Sequence, residues 1–300
     1  MAKFTTVGLG ELLWDILPGS RQLGGAPANF AYMTNLLGDE GVVASRVGND
    51  ELGRETLHRL KILGLNMSHI QIDPDKATGV ARVKLGAEGL PTFAFEEPSA
   101  WDGFEWTPDW EALAKKADAI CFGSLAQRSA QSRDAIQAFL KNLRAGTTRI
   151  FDVNLRKPFY SAEILAESAA RADIIKLSHD ELRAFMQVLN LSFQDEESAA
   201  QSLLSRFSAK LVCVTRGPNG SLLLTENDHH THRGIPIKVA DTVGAGDAFT
   251  AALVFHYLRG APLPIMNEAA NRMGAWVASQ TGATPPPDNA QLEAILAAKT

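Results

Sequence analysis

Cysteine, long apolar runs and concentrated positive charge are all scarce in this sequence, and each scarcity excludes a class of protein. The 300 residues include two cysteines, Cys121 and Cys213, and both lie in apolar runs typical of buried strands, so we expect free thiols rather than a disulfide. No run approaches about 18 consecutive apolar residues, which excludes a membrane-spanning helix. An apolar fraction of 45% excludes a mainly disordered chain.

The charge balance is mildly acidic and its positive charges are dispersed. Lysine and arginine number 29 against 34 aspartates and glutamates, a formal net charge of −5 at pH 7. Because nucleic-acid binders carry a basic patch or stripe, we expect no nucleic-acid partner. An anionic substrate stays open, since one helix N-terminus or one arginine binds a phosphate locally. The N-terminus has a single lysine and no apolar core of signal-peptide length, so we expect a cytoplasmic protein that does not associate with membranes.

Short β-rich runs alternate with longer helical patterns along most of the chain. Continuous apolar strands between helices predict a doubly wound α/β fold, in which helices cover both faces of a mainly parallel sheet. Ligands of such sheets bind at the carboxyl ends of the strands. The predicted strands are Phe4–Leu9, Val42–Val47, Ala119–Phe122, Arg149–Val153, Asp173–Leu177, Leu211–Thr215 and Ser221–Thr225. The predicted helices are Pro27–Leu37, Glu51–Leu63, Ala130–Leu143, Ser178–Leu189, Glu196–Phe207, Ala248–Leu258 and Met266–Gln280.

One stretch, Thr78–Glu97, breaks the alternation of strands and helices. Its residues alternate between apolar and polar before a turn at Ala87–Pro91, which predicts a β-hairpin. Because a hairpin of only two strands is marginally stable, we expect it to join Leu12–Ile16 and Gln22–Leu23 in a small side sheet. The pattern alone is equally consistent with a lid over the strand ends and with an edge decoration.

The segment from Ala240 to Phe249 carries the clearest chemical signal. Gly244 and Gly246 allow a tight turn with bare backbone N–H groups, and an apolar helix begins near Asp247. The unpaired amides and the positive end of that helix form an anion site suited to phosphate. We expect the helix dipole to keep the Asp247 carboxylate ionised with a low pKa, a weak base that suffices for a loose phosphoryl transfer. From these residues alone, Asp247 is equally well explained as a helix cap.

Several stretches, in a fixed order, resemble one family. The run Asp241-Thr242-Val243-Gly244-Ala245-Gly246-Asp247 resembles the C-terminal signature of the ribokinase-like sugar kinases, the PfkB family. The run Gly24-Gly25-Ala26-Pro27-Ala28-Asn29-Phe30-Ala31 resembles their N-terminal di-glycine motif, in the form typical of fructokinases. The stretches Asp152–Arg156, Val214–Gly220, and Ala270-Asn271 with Gly282-Ala283 also fall in family order. The matches span residues 8 to 283, nearly the whole chain. They favour a catalytic role of Asp247 in a kinase over its interpretation as a helix cap.

The resemblance implies a fold and an activity. Residues 1–300 would form a single ribokinase-like α/β kinase domain, with lid segments at about 12–25 and 78–100 that close over the sugar. The implied reaction is ATP-dependent phosphorylation of a primary hydroxyl of a small sugar, fructose before others. Asp247 would be the base, and Gly244, Ala245 and Gly246 would surround the phosphate. Mg²⁺ and K⁺ are the implied ions, and a homodimer through the lid is the implied assembly.

The same resemblance assigns residues to the sugar. Asp15 corresponds to a carboxylate that accepts hydrogen bonds from sugar hydroxyls. Gly24 and Gly25 would let the backbone approach the ring, and Asn29 can both donate and accept. Arg156 offers a planar fork for phosphate or carboxylate. The plainer alternatives are a solvated loop aspartate, an ordinary residue of a helix start and a surface arginine.

Nucleotide and ion residues are assigned in the same way. The residues assigned to the nucleotide are Asn154, Thr215, Gly217, Gly220 and Asn271, the last of which is otherwise an ordinary helical asparagine. Glu181 resembles a glutamate that organises Mg²⁺ through water, although Ser178 stands where many members have asparagine. Ser178 and Glu181 also fit a helix capping box. Asp241 and Val243 resemble part of a monovalent-cation loop.

Other nucleotide-binding classes fail on their motifs. The sequence has no Gly-x-x-x-x-Gly-Lys-Ser/Thr loop and no protein-kinase motif set. Gly8-Leu9-Gly10 begins like a dinucleotide fingerprint, but Leu13 stands where the third glycine belongs. A sugar- or nucleotide-binding regulator that has lost catalysis is disfavoured, because Asp247 and its glycines are present.

Two questions stay open at the level of sequence. Ribose, tagatose, 2-keto-3-deoxygluconate and nucleosides remain alternative substrates, because one sequence does not show the pocket's shape. The histidines His229, His230 and His232 look like a metal cluster, but no further candidate ligand lies nearby in the sequence.

Overall fold

The computed structural model describes residues 3–17, 19–85 and 91–297, which form two β-sheets connected by helices. The strands, numbered along the chain, are β1 (Thr5–Leu9), β2 (Leu13–Leu17), β3 (Ser20–Gly24), β4 (Glu40–Gly48), β5 (Ile70–Asp73), β6 (Gly79–Leu85), β7 (Pro91–Phe95), β8 (Ala119–Phe122), β9 (Thr148–Asp152), β10 (Ile174–Ser178), β11 (Leu211–Thr215), β12 (Ser221–Leu224) and β13 (His229–His232). The α-helices are α1 (Ala26–Leu36), α2 (Glu51–Ile62), α3 (Pro108–Lys116), α4 (Ala130–Lys141), α5 (Ala162–Arg171), α6 (His179–Val188), α7 (Glu196–Phe207), α8 (Ala245–Tyr257), α9 (Leu263–Ala278) and α10 (Asn289–Leu296).

The larger sheet is mainly parallel. Its strand order is β13-β12-β11-β10-β9-β8-β1-β4-β5, and every neighbouring pair from β11 to β5 is parallel. β12 and β13 add an antiparallel edge, as is common in large doubly wound sheets. The predicted fold class, a mainly parallel sheet in an α/β arrangement, is confirmed.

Helices cover both faces of this sheet. Successive strand residues point to opposite faces, so Val212 and Val214 of β11 lie in one core and Leu211 and Cys213 in the other. Helices α3 to α7 contribute to the first core, and α1, α2 and α8 to α10 contribute to the second. Both thiols are buried and unpaired, as predicted. In the described part of the chain, no helix has both the length and the apolar character needed to span a bilayer.

The smaller sheet has the order β3-β2-β6-β7. β2 pairs antiparallel with β3 and parallel with β6, and β6 and β7 form an antiparallel hairpin. The hairpin predicted within Thr78–Glu97 is therefore present, and it joins the two short strands near Leu12 and Gln22 as expected. Most of its predicted turn, Ala87–Pro91, lies outside the described residues.

A buried arginine anchors the chain where it leaves the smaller sheet. The guanidinium of Arg128 lies 3.9 Å from the ring centroid of Trp101 and donates two hydrogen bonds of 2.8 Å to the Asp102 carboxylate. Trp101 is 1% exposed, and a Cβ at Gly79 would lie 2.2 Å from its Nε1. The strand β6 can therefore cross this indole only at a glycine, and Trp101 packs the base of the sheet.

Candidate active site

A cavity of about 340 Å³ lies between the carboxyl ends of the larger sheet's strands and the smaller sheet. The smaller sheet contributes Asp15, Gly24 and Phe95, and the N-terminus of α8 contributes Gly244, Gly246 and Asp247. The polar side chains around the cavity are those of Glu11, Asp15, Asn29, Asp152, Asn154, Arg156, Lys176, Thr242 and Asp247. The chain thus brings the residues predicted for the sugar and for the phosphate to one place.

The N-terminus of α8 opens into this cavity. Gly244 is the N-cap and has the left-handed φ of 77°, and a Cβ there would lie 2.5 Å from Cβ of Ala283. Only glycine satisfies both conditions without strain. The helix starts at Ala245, earlier than the predicted start near Asp247, so Asp247 occupies the first turn with the free amides around it.

The carboxyl group of Asp247 is held by a residue from the other end of the chain. Its Oδ2 accepts a hydrogen bond of 2.8 Å from Nδ2 of Asn29. Burial, followed by the nearby charge of Asp152, raises the pKa of Asp247 to about 7. The predicted low pKa is therefore wrong, because desolvation and a like charge outweigh the stabilising neighbours. A carboxylate with a pKa near 7 is a stronger base than expected and is still ionised in large part at neutral pH.

Asp15 lies in β2 and not in a loop, and the two adjacent glycines make room for it. A Cβ at Gly24 would lie 2.6 Å from Oδ2 of Asp15, and a Cβ at Gly25, whose φ is 122°, would lie 2.5 Å from the carbonyl oxygen of Glu11. Burial raises the pKa of Asp15 to about 6. The reading of Asp15 as a solvated loop residue is wrong, since its half-buried side chain lines the cavity.

Asn154 and Arg156 follow β9 at its carboxyl end, where both line the cavity. Asn154 has a left-handed φ of 41°, which turns the chain back over the strand ends. The Arg156 guanidinium donates a hydrogen bond of 3.0 Å from Nη1 to the carbonyl oxygen of Leu155. Both residues therefore lie at the carboxyl end of β9, where ligands of such a sheet bind.

A second cavity of about 530 Å³ lies beside the ends of β10 and β11. Its lining residues are Ser178, His179, Asp180, Glu196, Thr215, Arg216, Gly217 and Asn219. Glu196 joins two of its walls, because it accepts hydrogen bonds from Arg216 and lies 2.6 Å from Nδ1 of His179. Of the residues predicted for the nucleotide, Thr215 and Gly217 line this cavity.

Two residues predicted for the nucleotide, Gly220 and Asn271, are not among the lining residues of either cavity. A Cβ at Gly220 would lie 2.0 Å from the carbonyl oxygen of His232, so this glycine permits the close approach of the β12–β13 hairpin. Asn271 is buried in α9, and its Nδ2 donates hydrogen bonds of 2.8 Å to Oγ of Ser221 and to the carbonyl oxygen of Asn267. Both contacts join elements of the scaffold.

The carboxylate of Glu181 is bound to backbone amides. Its Oε2 accepts a hydrogen bond from the amide of Ser178, and its Oε1 accepts one from the amide of Leu155, both at 2.8 Å. The Glu181 amide in turn donates a hydrogen bond to Oγ of Ser178, so the capping box is present. Each oxygen keeps one lone pair, so the carboxylate can accept a further hydrogen bond, for example from a water molecule.

Asp241 joins the loop before α8 to a segment near the C-terminus. Its Oδ1 accepts a hydrogen bond of 3.0 Å from the amide of Val243, and its Oδ2 accepts one of 3.1 Å from the amide of Gly282. Gly282 precedes Ala283, on which Gly244 packs. An ion bound at this loop would therefore stiffen the helix N-terminus.

The histidines of β13 are bound to neighbouring side chains. His232 Nε2 lies 2.8 Å from Oε2 of Glu268, and His230 Nδ1 lies 3.1 Å from Nδ2 of Asn267. Across residues 3–17, 19–85 and 91–297, no group of three or more His, Cys, Asp or Glu side chains is arranged to hold a metal ion. The resemblance of these histidines to a metal cluster is therefore superficial.

Four polar residues in or beside the cavity received no role in the sequence analysis: Glu11, Asp152, Lys176 and Thr250. Burial raises the pKa of Glu11 to about 7, and the charge of Asp247 adds to the effect. Asp152 and Lys176 end or interrupt apolar strands, and Thr250 lies in an apolar helix. A charged residue inside an apolar strand could have indicated the site, because burying a charge is unfavourable unless the charge is paired or serves a function.

Residues 18–290 match the sequence model of the pfkB family carbohydrate kinases. Probable fructokinase-5 of Arabidopsis thaliana is 30% identical over 305 residues, which cover 93% of each chain.

Solved structures of similar chains contain sugars and nucleotides. Fructokinase from Vibrio cholerae O395, in a form with fructose, ADP and calcium ion bound, aligns with a TM-score of 0.84 at 29% identity and covers 98% of this chain and 99% of its own. Its double mutant with fructose, ADP and potassium ion gives 0.82 at 28%, covering 98% of each chain. Aminoimidazole riboside kinase from Salmonella enterica, complexed with aminoimidazole riboside and an ATP analog, gives 0.80 at 26%, covering 98% and 99%. The predicted ribokinase-like fold is confirmed.

Proposed function

Since this chain belongs to the pfkB family of carbohydrate kinases and is an ATP-dependent sugar kinase, we propose that its sugar is fructose, phosphorylated at a primary hydroxyl. One observation carries the proposal: Asp15, Asn29 and Asp247 line one cavity of about 340 Å³ together with the N-terminus of α8. The di-glycine motif in its fructokinase form and the fructokinases among the relatives support the choice of sugar.

The charges around the cavity favour a neutral polyol over a sugar acid. Four carboxyl groups, those of Glu11, Asp15, Asp152 and Asp247, line it, against the two cations Lys176 and Arg156. Carboxylates accept hydrogen bonds from hydroxyls and repel another carboxylate. A 2-keto-3-deoxy sugar acid would therefore meet more negative than positive charge in this cavity, since Lys176 is shared with Asp152 and Arg156 is the second cation.

Asp247 would act as the general base. A hydroxyl placed beside its carboxylate loses its proton to Asp247 as the oxygen attacks the γ-phosphorus of ATP, and ADP leaves with the electron pair of the broken bond. The amides of Gly244 and Gly246 would stabilise the negative charge on the transferred group, with the helix dipole adding to their effect, whereas the Ala245 amide donates to the carbonyl oxygen of Thr242. Asn29 fixes the orientation of the base through its hydrogen bond to Oδ2.

The second cavity would bind the nucleotide, with Thr215 and Gly217 in its wall and Asn154 towards the phosphates. Asn271 and Gly220 would support this region from behind. Related structures with bound nucleotide also hold a calcium or potassium ion. Here Glu181 would organise Mg²⁺ through water, and the Asp241–Val243 loop would hold K⁺. Mg²⁺ supplies charge neutralisation of the phosphate oxygens.

The smaller sheet would serve as the lid of a single kinase domain over residues 1–300, with lid segments at about 12–25 and 78–100. Its closure would exclude water, which otherwise competes with the sugar for the phosphoryl group.

We propose a homodimer through this sheet, since its outer strands offer unpaired backbone groups. Size-exclusion chromatography with light scattering tests the dimer, and a cytoplasmic location is part of the same proposal.

The test of the substrate is a comparison of kcat/KM. Purified full-length protein is assayed for ADP release with ATP, Mg²⁺ and K⁺ across fructose, tagatose, ribose, 2-keto-3-deoxygluconate and nucleosides. Fructose is expected to give the highest kcat/KM, and Asp247→Asn is expected to lower kcat by about 10³-fold or more with any of them. A higher value for another member of the panel would refute fructose and leave the sugar kinase in place. A riboside is the second candidate, because the aminoimidazole riboside kinase is so similar in fold.

A further inference from the structure

A buried ion pair lies behind the loop that begins α8. Nζ of Lys176 is 3.1 Å from Oδ1 and 3.0 Å from Oδ2 of Asp152. The two residues are 7% and 6% exposed, and they are paired across adjacent strands, with Lys176 in the middle of β10 and Asp152 at the end of β9. Both line the cavity that contains Asp247.

The pair is joined to the loop on two sides. The Thr250 hydroxyl lies 3.0 Å from Oδ2 of Asp152 and 2.9 Å from the carbonyl oxygen of Gly246, so its single hydrogen is donated to one of these two acceptors or shared between them. A Cβ at Gly246 would lie 3.2 Å from Nζ of Lys176. Besides allowing the tight turn, the absence of a side chain at Gly246 therefore lets the Lys176 ammonium group lie directly against the loop.

Stability alone does not account for the pair. Replacing a buried ion pair by neutral residues of similar volume is often neutral or stabilising, because two charges must be desolvated. An ammonium group has three N–H donors. Within the described residues, the Lys176 ammonium donates to both carboxylate oxygens of Asp152 and has no other hydrogen-bond partner. The ammonium group therefore keeps one N–H donor beyond its two bonds to Asp152, and Lys176 lines the cavity.

The surrounding charges keep Lys176 protonated. Burial alone would lower its pKa, but the carboxylates of Asp152, Glu181 and Asp247 outweigh burial and hold the pKa above its usual range. The charge is therefore permanent over the pH range of enzyme assays.

We propose that Lys176 is a positioning residue for phosphoryl transfer: fixed by Asp152 and Thr250, it places a permanent positive charge behind Gly246, where it adds to the helix amides in stabilising the transferred group. This inference rests on the proposed role of the α8 N-terminus. A charge that is already in place costs no reorganisation during the reaction, which makes it more effective than a solvent-exposed one. The effect belongs to the transition state, in which the charge on the phosphoryl group is redistributed, and not to ground-state binding.

The test replaces the pair without leaving a buried charge. In Lys176→Met/Asp152→Asn both partners become neutral at nearly constant volume. We expect kcat to fall about 10²-fold, with KM for ATP and for sugar within about threefold of the wild type and with thermal stability unchanged or raised. If this variant does not fold, Lys176→Gln/Asp152→Asn keeps a hydrogen-bonded neutral pair and is held to the same criterion.

A pH profile separates this role from an effect through the base. Groups facing Asp247 are Asp152 of β9, Lys176 of β10, Arg156 after β9, Glu11 after β1 and Asp15 of β2. Removing Asp152 and Lys176 together removes one charge of each sign, so the acidic limb of kcat/KM should stay or move slightly to lower pH. The loss in kcat should persist at pH 8.5, where Asp247 is fully ionised in both proteins. Recovery of wild-type kcat at pH 8.5 would overturn the inference.

A matched control is the buried pair of Arg46 and Asp73, 9% and 5% exposed with 2.9 Å between Nε and Oδ2, which lines neither cavity. Arg46→Met/Asp73→Asn should leave kcat within twofold. An unchanged kcat in the Lys176 double variant, or a change confined to KM, would overturn the inference. The assay uses whichever sugar the wild type phosphorylates best, so failure of fructose affects only the proposed substrate. Full activity of Asp247→Asn would refute the base and leave the Lys176 result interpretable.

Discussion

Nδ2 of Asn29 donates a hydrogen bond of 2.8 Å to Oδ2 of Asp247, across a sequence separation of 218 residues. The bond joins the start of α1 to the first turn of α8, so one helix end orients the carboxylate of the other. It favours the ionised form of Asp247 and opposes the burial that raises its pKa. The pH dependence of activity should therefore respond to a residue that never exchanges a proton.

Asn29→Ala should move the acidic limb of kcat/KM to higher pH. A base must be ionised to act, so activity rises as the pH passes the pKa of Asp247, which is about 7 in the wild type. Loss of the hydrogen bond raises that pKa, and we expect a shift of about 0.5–1 pH unit, with a larger deficit at pH 6 than at pH 9. The profile of initial rates between pH 5.5 and 9 measures it. Asn35→Ala, in the same helix but outside the cavity lining, controls for stability; an equal shift there would contradict the assignment.

Glu11→Gln should have the opposite effect. Glu11 and Asp247 line the same cavity, and each carboxylate disfavours ionisation of the other. With a neutral amide at position 11 the acidic limb should move to lower pH by about half a unit, so that activity at pH 6 is retained better than in the wild type. The same rate profile tests this, with Glu105→Gln, whose side chain is exposed, as the control. A limb that stays in place would show that the two carboxylates do not interact.

Asp247→Asn should stabilise the folded protein above neutral pH. The folded-state pKa of about 7 exceeds the unfolded value of about 3.9, so the folded chain binds more protons between these values and loses stability as the pH rises through them. Asparagine does not titrate, and the gain in Tm over the wild type should be larger at pH 8 than at pH 5, by about 2–4 °C once access of water to the cavity is allowed for. Differential scanning calorimetry at both pH values measures the gain.

The control for this stability experiment is Asp50→Asn. Hydrogen bonds from Thr78 and Gly53 outweigh burial and lower the pKa of Asp50, so its ionised form stabilises the fold and that contribution is lost only as the pH falls towards the lowered pKa. Its substitution should lower Tm at pH 8. The changes in Tm at pH 8 should therefore have opposite signs in the two variants. A decrease in both would mean that the cavity around Asp247 is fully hydrated.

Gly24→Ala should weaken sugar binding. The added Cβ would lie 2.6 Å from Oδ2 of Asp15 and displace that carboxylate from its place in the cavity. We expect KM for the sugar to rise about tenfold, equivalent to about 1.4 kcal/mol, with a smaller change in KM for ATP. In an Asp15→Ala background the same substitution should add little, because the group it displaces is gone. Additive effects of the two substitutions would instead indicate a backbone disturbance.

The central elements were predictable because local pattern and tertiary environment agree. Ala119–Phe122, Leu211–Thr215 and Glu196–Phe207 have the same bounds in the prediction and in the structure. β5 and β13 were missed because both are edge strands of only four residues, too short for a clear pattern, and their pairing with β4 and β12 makes them strands. The helices α3 and α5 were missed although each follows a capping residue, Thr107 and Ser161 respectively.

The site was predicted where one short segment holds its chemistry, as in the run from Asp241 to Asp247. The pKa of Asp247 was not, since it depends on Asn29 and Asp152, which are distant in sequence and meet only in the fold. Lys176 was read as part of an apolar strand because its partner, Asp152, belongs to the neighbouring strand. Electrostatic interactions between residues that are distant in the sequence cannot be predicted from local sequence patterns.

The stacking of Arg128 on Trp101 fixes one end of the smaller sheet. The guanidinium is bound to Asp102 and also donates a hydrogen bond to the carbonyl oxygen of Glu96, so the segment that follows β7 is joined to the start of α4. If the smaller sheet closes over the cavity as proposed, we expect β6 and β7 to bend about this anchored end, because the anchor prevents the sheet from moving as a rigid body.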